Sequence, residues 1–332
     1  MTHCVPPLRL HIHTDPDFRQ SRDFAEARVL AIRDEFEGLA ARLALSFSQD
    51  EADLEAALAE VEVLIVVGAL DLADVAARAP RLRWIHITSA GVDRVPLDRL
   101  PPQVLVTNAK GNHEARTREF SMTALLMLNN QLPLFVTQQR ERRWAQAALE
   151  PIEGKTVVIL GMGALGSAAA RAAKQLGLKV VGVSRSGKAH ELADISLPQS
   201  RLKEALADAD FLLITLPLTP ETHSVVGEAE LAAMPAHGGV INIGRGPVLD
   251  VAALAQRLEA GQLRGAVLDV FPEEPLPADS PYWRTRNLIV LPHSGLYDAD
   301  YVPRCLRFFF ANVERYLDDR PLENRVDTAL GY

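Results

Sequence analysis

A chain of 332 residues is long for one hydrophobic core and suits two domains. Its 48% hydrophobic and 23% charged residues are ordinary for a globular protein. A net charge of -8 argues against a nucleic-acid polyanion as the main partner, since that affinity comes mostly from Lys and Arg contacts to phosphate, but leaves room for a small anion at a local positive site.

No uninterrupted apolar run reaches membrane-spanning length, and the opening MTHCVPPLRLHIH lacks the basic-then-apolar layout of a signal peptide. The expected location is therefore the cytoplasm, with no membrane partner. Cys4 and Cys305 belong to no CxxC pair and are expected to be reduced thiols without a function. His3, His11 and His13 have no Cys or carboxylate cluster beside them, so no metal site is expected.

The first ~110 residues read as a compact α/β unit. Leu8 to Ile12, Val61 to Val67, Leu82 to Thr88 and Val104 to Thr107 are expected strands. Asp53 to Glu60 and Leu72 to Ala79 are expected helices. Phe120, Ala124, Leu125 and Leu128 have helical spacing within Thr117 to Asn130, and Pro133 is expected to break or bend that helix. A polar, Arg-rich stretch from Gln138 to Trp144 then leads to Glu150-Pro151, a plausible boundary.

Lys155 to Leu160 is β-branched and apolar, as a buried strand should be. It runs into Gly161-Met162-Gly163-Ala164-Leu165-Gly166, and Ala164 to Leu176 then has helical spacing. A strand, a glycine turn and a helix are the context that a dinucleotide site requires. Gly161 allows the tight turn, Gly163 lets backbone amides approach a pyrophosphate, and Gly166 lets the helix pack closely on the strand. Eighteen residues after Gly166, where such folds normally carry an acid, the chain reads Ser184-Arg185-Ser186. An acid would repel a 2′-phosphate, whereas an Arg and two hydroxyls bind one, so NADP(H) is preferred over NAD(H), with NAD(H) still possible.

From Lys155 onward strands and helices alternate. Val157 to Leu160, Lys179 to Val183, Phe211 to Thr215, Val240 to Ile243, Ala266 to Val270 and Leu288 to Leu291 are the strands, which implies a parallel sheet covered on both faces. A long helix from about Asp298 to Leu317 carries Phe308, Phe309 and Phe310 as a packing face.

Three reactive side chains follow late strands. Arg245 stands between Gly244 and Gly246, where its planar fork can meet a carboxylate at close quarters. Glu274 lies in a loop stiffened by Pro272, Pro275 and Pro277, after Asp269 has interrupted a strand. His293 ends the strand Leu288 to Leu291. A carboxylate beside an imidazole favours the imidazolium, which keeps an acid available near neutral pH.

These segments together resemble the D-isomer-specific 2-hydroxyacid dehydrogenase family. The carriers are SAGVD (89–93), ILGMGALG (159–166), TLPLTPET (215–222), INIGRGPVLD (241–250), GAVLDVFPEEPLP (265–277) and LPHSG (291–295). The resemblance covers almost the whole chain and is strongest between 155 and 295. Within the family, the Ser-Arg-Ser segment is most similar to the NADPH-dependent glyoxylate/hydroxypyruvate reductase branch. Implied is an α/β fold of two Rossmann-like domains, a flavodoxin-like substrate domain (1–116 and 298–332) and an inserted doubly wound dinucleotide-binding domain (117–297). A catalytic cleft between the domains and dimers formed through the inserted one are also implied.

By the same resemblance, Arg245 binds and polarises a small 2-keto acid, His293 is the acid/base, and Glu274 is its carboxylate partner. Ala90 and Gly91 offer amides to the substrate carboxylate. Cofactor contacts fall on Ala164 and Leu165, on Leu216, Pro217 and Thr222, and on Ile243, Gly244 and Asp269, beside the three glycines and Ser184 to Ser186. The expected reaction is reduction of the keto acid to the D-2-hydroxy acid. A formate or phosphite dehydrogenase on the same fold, or a dinucleotide-sensing interaction protein of corepressor type, are the alternatives. Formate enzymes usually pair the His with Gln, which Glu274 opposes. Thr117-Arg118-Glu119 departs from the small residues the family often places there, and neither Arg118, His113 nor Arg116 has an assigned role.

Overall fold

The computed structural model describes residues 6–18, 21–68, 74–92, 95–295 and 298–328. His3, Cys4, Asp93 and the start of the expected helix at 72–79 lie outside them. The chain divides into two compact units, Met1–Asn112 with Asp298–Tyr332, and His113–Tyr297.

In the first unit the strands are β1 (Leu8–Thr14), β2 (Leu43–Ser48), β3 (Val63–Val67), β4 (Trp84–Ile87) and β5 (Leu105–Asn108). They form one parallel sheet in the order β2-β1-β3-β4-β5, the flavodoxin-like order. Its helices are α1 (Glu26–Arg33), α2 (Leu39–Arg42), α3 (Glu51–Leu58) and α4 (Val75–Arg78). Side chains alternate across the strands, so each face has its own core. Leu10, Ile12, Ile65 and Trp84 pack with Val29 and Ile32 of α1 and with Phe309 and Phe310 of the last helix. Leu64, Val66 and Ile85 pack on the other face with Leu54 and Leu58 of α3. Phe309 and Phe310 are thus buried packing residues. β2 escapes sequence reading because Ser46 and Ser48 interrupt its apolar pattern. Both hydroxyls meet histidines of the neighbouring strand, at 2.8 Å for His11 with each serine and 2.9 Å for His13 with Ser48. Cys305 is a free thiol in this core, its pKa pushed up to about 12 by burial, and it is therefore protonated.

Two buried rings should make the unit sensitive to acid. The Trp84 indole N–H donates to Thr107 Oγ1 at 2.8 Å, and the same hydroxyl is hydrogen-bonded to His86 Nδ1, also at 2.8 Å. The remaining ring nitrogen, Nε2, is buried without a hydrogen-bond partner. Burial lowers the His86 pKa to about 3, and burial with the neighbouring His13 lowers His11 to about 4. Both rings are neutral when folded and accept a proton when unfolded. Their contribution is therefore complete above pH 6.5 and is lost as pH falls from there towards 3 to 4. The fall in Tm between pH 7 and pH 4.5 should be smaller for His86→Gln than for wild type. Equal falls would remove His86 from the account.

In the second unit α5 (Glu114–Asn129) and α6 (Leu132–Arg140) precede β6 (Thr156–Leu160). There follow α7 (Ala164–Gln175), β7 (Lys179–Ser184), β8 (Ile195–Pro198), α8 (Leu202–Leu206), β9 (Phe211–Ile214) and α9 (Glu228–Ala233). β10 (Gly239–Asn242), α10 (Val251–Glu259), β11 (Gly265–Leu268) and β12 (Leu288–Val290) complete it. The last helix, α11 (Tyr301–Leu317), returns to the first unit and starts three residues later than the sequence pattern implied. The seven strands are all parallel, in the order β12-β11-β10-β9-β6-β7-β8. The winding reverses between β6 and β9, and ligands of such sheets bind outside the carboxyl ends at that switch.

Two local expectations are corrected, and one strand is added. Pro133 does not bend a helix: α5 has already ended, Gln131 takes φ of 53° at the N-cap of α6, and the proline occupies the first turn of the new helix. Glu150-Pro151 is not a boundary, because Asn129 Nδ2 donates to the Glu150 carbonyl at 2.9 Å and Lys155 Nζ to Asn129 Oδ1 at 2.8 Å. The compact units part instead at Asn112. β8, a short edge strand with Ile195 exposed, carries too little apolar pattern to be read from sequence.

Candidate active site

The glycine turn follows β6 at the switch point. Gly161 has φ of 102°, and a Cβ there would stand 2.9 Å from Thr215 Oγ1. That hydroxyl donates to the Gly161 carbonyl at 2.6 Å, locking the turn. A Cβ on Gly166 would run into the same carbonyl, so only glycine lets α7 start this close to the strand. A Cβ on Gly163, by contrast, would have no neighbour within 4 Å, which leaves the approach to the helix open. Gly163 is the N-cap of α7 and supplies no side-chain cap, so the first-turn amides face that opening as an anion site. A dinucleotide pyrophosphate fits this cradle by shape and by charge.

β7 ends at Ser184, and Arg185 and Ser186 are exposed beyond it. Gly187 closes the turn by donating to the Ser184 carbonyl at 3.3 Å and to its hydroxyl at 3.2 Å. Two charged residues near this turn were not singled out in the sequence. Lys188, also exposed, adds a second cation to the segment. Glu221 is held below the usual carboxylate range by its own amide and the Thr219 hydroxyl, with the Arg185 charge adding to the effect. Their signal was present only as position, since ordinary surface residues look the same.

Leu216 is buried and Gly244 is packed so closely that a Cβ would meet the Leu216 carbonyl at 2.7 Å. Thr222 closes its own turn, donating to the Pro217 carbonyl at 2.7 Å and accepting from the Thr219 amide at 2.8 Å. Ile243 is buried and continues the ladder onto Ile214 at 3.1 Å. Leu216 and Thr222 thus follow β9, and Ile243 and Gly244 follow β10, on the β9 side of the switch point.

The reactive side chains leave three neighbouring strands at one edge of the sheet. Asn242 of β10 pairs with Leu268 of β11, which pairs with Val290 of β12. Arg245, the Asp269-to-Glu274 loop and His293 therefore start from the same end of adjacent strands, about 5 Å apart from strand to strand. Buried Asn242 fixes the Arg245 loop: its Oδ1 accepts from Gly244 N and its Nδ2 donates to the Arg245 carbonyl, both at 3.0 Å. Gly246 is required because a Cβ would enter the backbone at Phe271.

Glu274 and His293 meet directly, with Nδ1 2.7 Å from Oε2. The other carboxylate oxygen accepts from Phe271 N at 3.0 Å, which holds the carboxylate in place. Their side chains are 24% and 46% exposed, so the pair is open to a ligand. His293 itself has φ of 48°, an unusual conformation for a residue with a Cβ. Buried Asp269 supports it. Its carbonyl accepts from His293 N at 2.9 Å, and its carboxylate accepts from Ser294 N at 2.9 Å and Gly295 N at 3.0 Å. The carbonyl and carboxylate of Asp269 thus both serve the His293 loop, a task the sequence reading did not foresee.

Ala90 and Gly91 belong to the first unit, after β4. Their carbonyls accept from Asn108 Nδ2 at 2.8 Å and Ser89 Oγ at 2.6 Å, which fixes both peptide planes.

Residues 122–295, just over half of the chain, match the family model for the NAD binding domain of D-isomer specific 2-hydroxyacid dehydrogenases. The chain belongs to the D-isomer specific 2-hydroxyacid dehydrogenase family. It is 33% identical over 254 residues to glyoxylate/hydroxypyruvate reductase B of Yersinia pestis, covering 74% of this chain and 78% of that protein. It is 32% identical over 255 residues to D-3-phosphoglycerate dehydrogenase of Mycobacterium tuberculosis, covering 76% of this chain. That match spans 48% of the mycobacterial protein, about half the length of such relatives. Among solved structures it is similar to a D-isomer specific 2-hydroxyacid dehydrogenase of Xanthobacter autotrophicus Py2 in complex with NADPH and MES. The TM-score is 0.83 at 30% identity, over 98% of this chain and all of that one. As a dehydrogenase family of two α/β units, it accounts for both sheet orders described above.

Proposed function

We propose that this protein reduces a small 2-keto acid of the glyoxylate or hydroxypyruvate kind to the D-2-hydroxy acid, with NADPH as the preferred reductant. The observation that carries this reading is the His293–Glu274 pair, 2.7 Å apart at the same sheet edge as Arg245. With Nδ1 directed at the carboxylate, the proton available for transfer is on Nε2. Arg245 binds the substrate carboxylate and polarises its carbonyl. Bound NADPH supplies a hydride to the keto carbon. His293 gives its proton to the keto oxygen as the C=O double bond becomes C–OH. The sum is keto acid, NADPH and one proton giving hydroxy acid and NADP⁺, and solvent reprotonates the imidazole. Gly161, Gly163 and Gly166, with the Ala164 and Leu165 amides, hold the pyrophosphate.

Arg185, with Ser184 and Ser186, selects the 2′-phosphate, and Lys188 adds charge to the same turn. The similar Xanthobacter autotrophicus enzyme was solved with NADPH bound, which supports this choice. NADH remains a weaker alternative. Glu274 in place of Gln disfavours formate chemistry, and a corepressor role is not favoured. The protein is proposed to work in the cytoplasm as a homodimer formed through the second unit. In that unit Trp144 is 97% exposed and Leu126, Leu132 and Leu149 are also exposed, apolar side chains that a dimer interface could cover.

Absorbance at the nicotinamide band, followed with glyoxylate, hydroxypyruvate, pyruvate and bulkier keto acids, tests the reading. Small keto acids should be reduced faster with NADPH than with NADH. Arg185→Ala should reduce that preference about 10- to 100-fold, the range for losing a charge-assisted hydrogen bond. Equal use of NADH by the wild type would refute the preference, and inactivity with every keto acid would refute the function.

A further inference from the structure

We propose that Arg116 is a positioning residue for His293, acting through the carbonyl of Gly295. The inference rests on the proton-donor role of His293 given above. Arg116 occupies the first turn of α5, where the positive end of a helix disfavours a cation. Its guanidinium is nevertheless held there at two points. Nη1 pairs with Glu119 Oε2 at 2.7 Å, and Nη2 donates to the Gly295 carbonyl at 3.2 Å. The Nε atom is buried without a hydrogen-bond partner, so the side chain is committed to this place and not spread on the surface.

The segment it reaches needs external support. β12 ends at Val290, so no strand ladder holds residues 293–295, and His293 takes an unfavourable backbone conformation. Asp269 ties the segment from the sheet side through the amides of His293, Ser294 and Gly295. Nothing in that set restrains the Gly295 carbonyl. Arg116 does so from the helix side, and one helical turn on, the Phe120 ring lies where a Cβ of Gly295 would be 2.7 Å from it. The peptide of Gly295 is therefore clamped at its amide by an anion and at its carbonyl by a cation. Proton transfer needs the imidazole within about 2.6–3.2 Å of its target, and a misplacement of ~1 Å can cost on the order of 10²-fold. Arg116 touches no reacting atom in this scheme; it sets where His293 stands.

The test compares Arg116→Met and Arg116→Lys in wild-type and His293→Ala backgrounds, measuring kcat and both KM values with NADPH and a small keto acid. Arg116→Met should lower kcat about tenfold, equivalent to about 1.4 kcal/mol, and leave the KM for NADPH within about twofold. Arg116→Lys, which can still donate to the carbonyl, should recover part of the loss. In the His293→Ala background Arg116→Met should cost nothing further, because its effect passes through the imidazole. An equal loss in both backgrounds would show a merely structural role and overturn the proposal, as would an unchanged kcat in both variants. His293→Ala as active as wild type would overturn the proton-donor role and this inference with it. Impaired His293→Ala beside fully active Arg116→Met overturns the Arg116 role alone.

Discussion

His293→Ala is expected to lower kcat for keto-acid reduction by about 10²–10⁴-fold, the usual worth of a placed general acid. Binding of NADPH should be nearly unchanged, because the proposed pyrophosphate cradle, Gly161 to Gly166, follows a different strand. Fluorescence titration of NADPH alongside the kinetics separates the two effects. Glu274→Gln should cost less than His293→Ala. A glutamine can still meet Nδ1 and Phe271 N, where Glu274 now stands at 2.7 and 3.0 Å, but it no longer offsets a charged imidazole. A Glu274→Gln protein more damaged than His293→Ala would mean that the carboxylate, not the ring, does the chemistry.

Arg245→Met is expected to lower kcat/KM by about 10²–10³-fold, the range for removing a donor aimed at developing negative charge. The loss should appear in both kcat and the KM for the keto acid, since in the proposed role the same fork holds the carboxylate and polarises the carbonyl. Arg245→Lys keeps the charge but not the two parallel donors, so it should recover only part of the loss. Binding of oxalate or oxamate, substrate-like dianion and monoanion, should weaken in step and can be followed by calorimetry. Unchanged affinity for both anions in Arg245→Met would remove the guanidinium from the substrate site.

Much of this architecture is legible from local pattern. Val157 to Leu160, which runs into Gly161, and Phe211 to Thr215, which follows Asp210, are almost wholly apolar, and buried parallel strands look like that. The glycine turn is readable because backbone geometry and close packing leave one residue type at Gly161 and Gly166. What sequence conceals is pairing between distant segments. β2 reads as polar because Ser46 and Ser48 answer histidines two helices earlier in the chain. Pro133 carries the same identity whether it ends one helix or opens the next, and only the left-handed Gln131 before it decides. In the site, Arg245, Glu274 and His293 stand out as charged residues at strand ends. The second layer does not. Asp269, which the family resemblance gives as a cofactor contact, also holds the amides of Ser294 and Gly295, which no local pattern announces. Arg116 had no assigned role, because its target is a carbonyl, which every residue has.

The most direct measurement follows the label from C4-deuterated NADPH during turnover of glyoxylate, hydroxypyruvate or pyruvate. With the deuterium on the transferable face, one deuterium should appear on carbon 2 of the hydroxy acid for each NADPH consumed. The rate should collapse in His293→Ala and Arg245→Met. Consumption of NADPH without label in the product, or no turnover of any 2-keto acid by the wild-type protein, would contradict hydride transfer to a keto acid at this site.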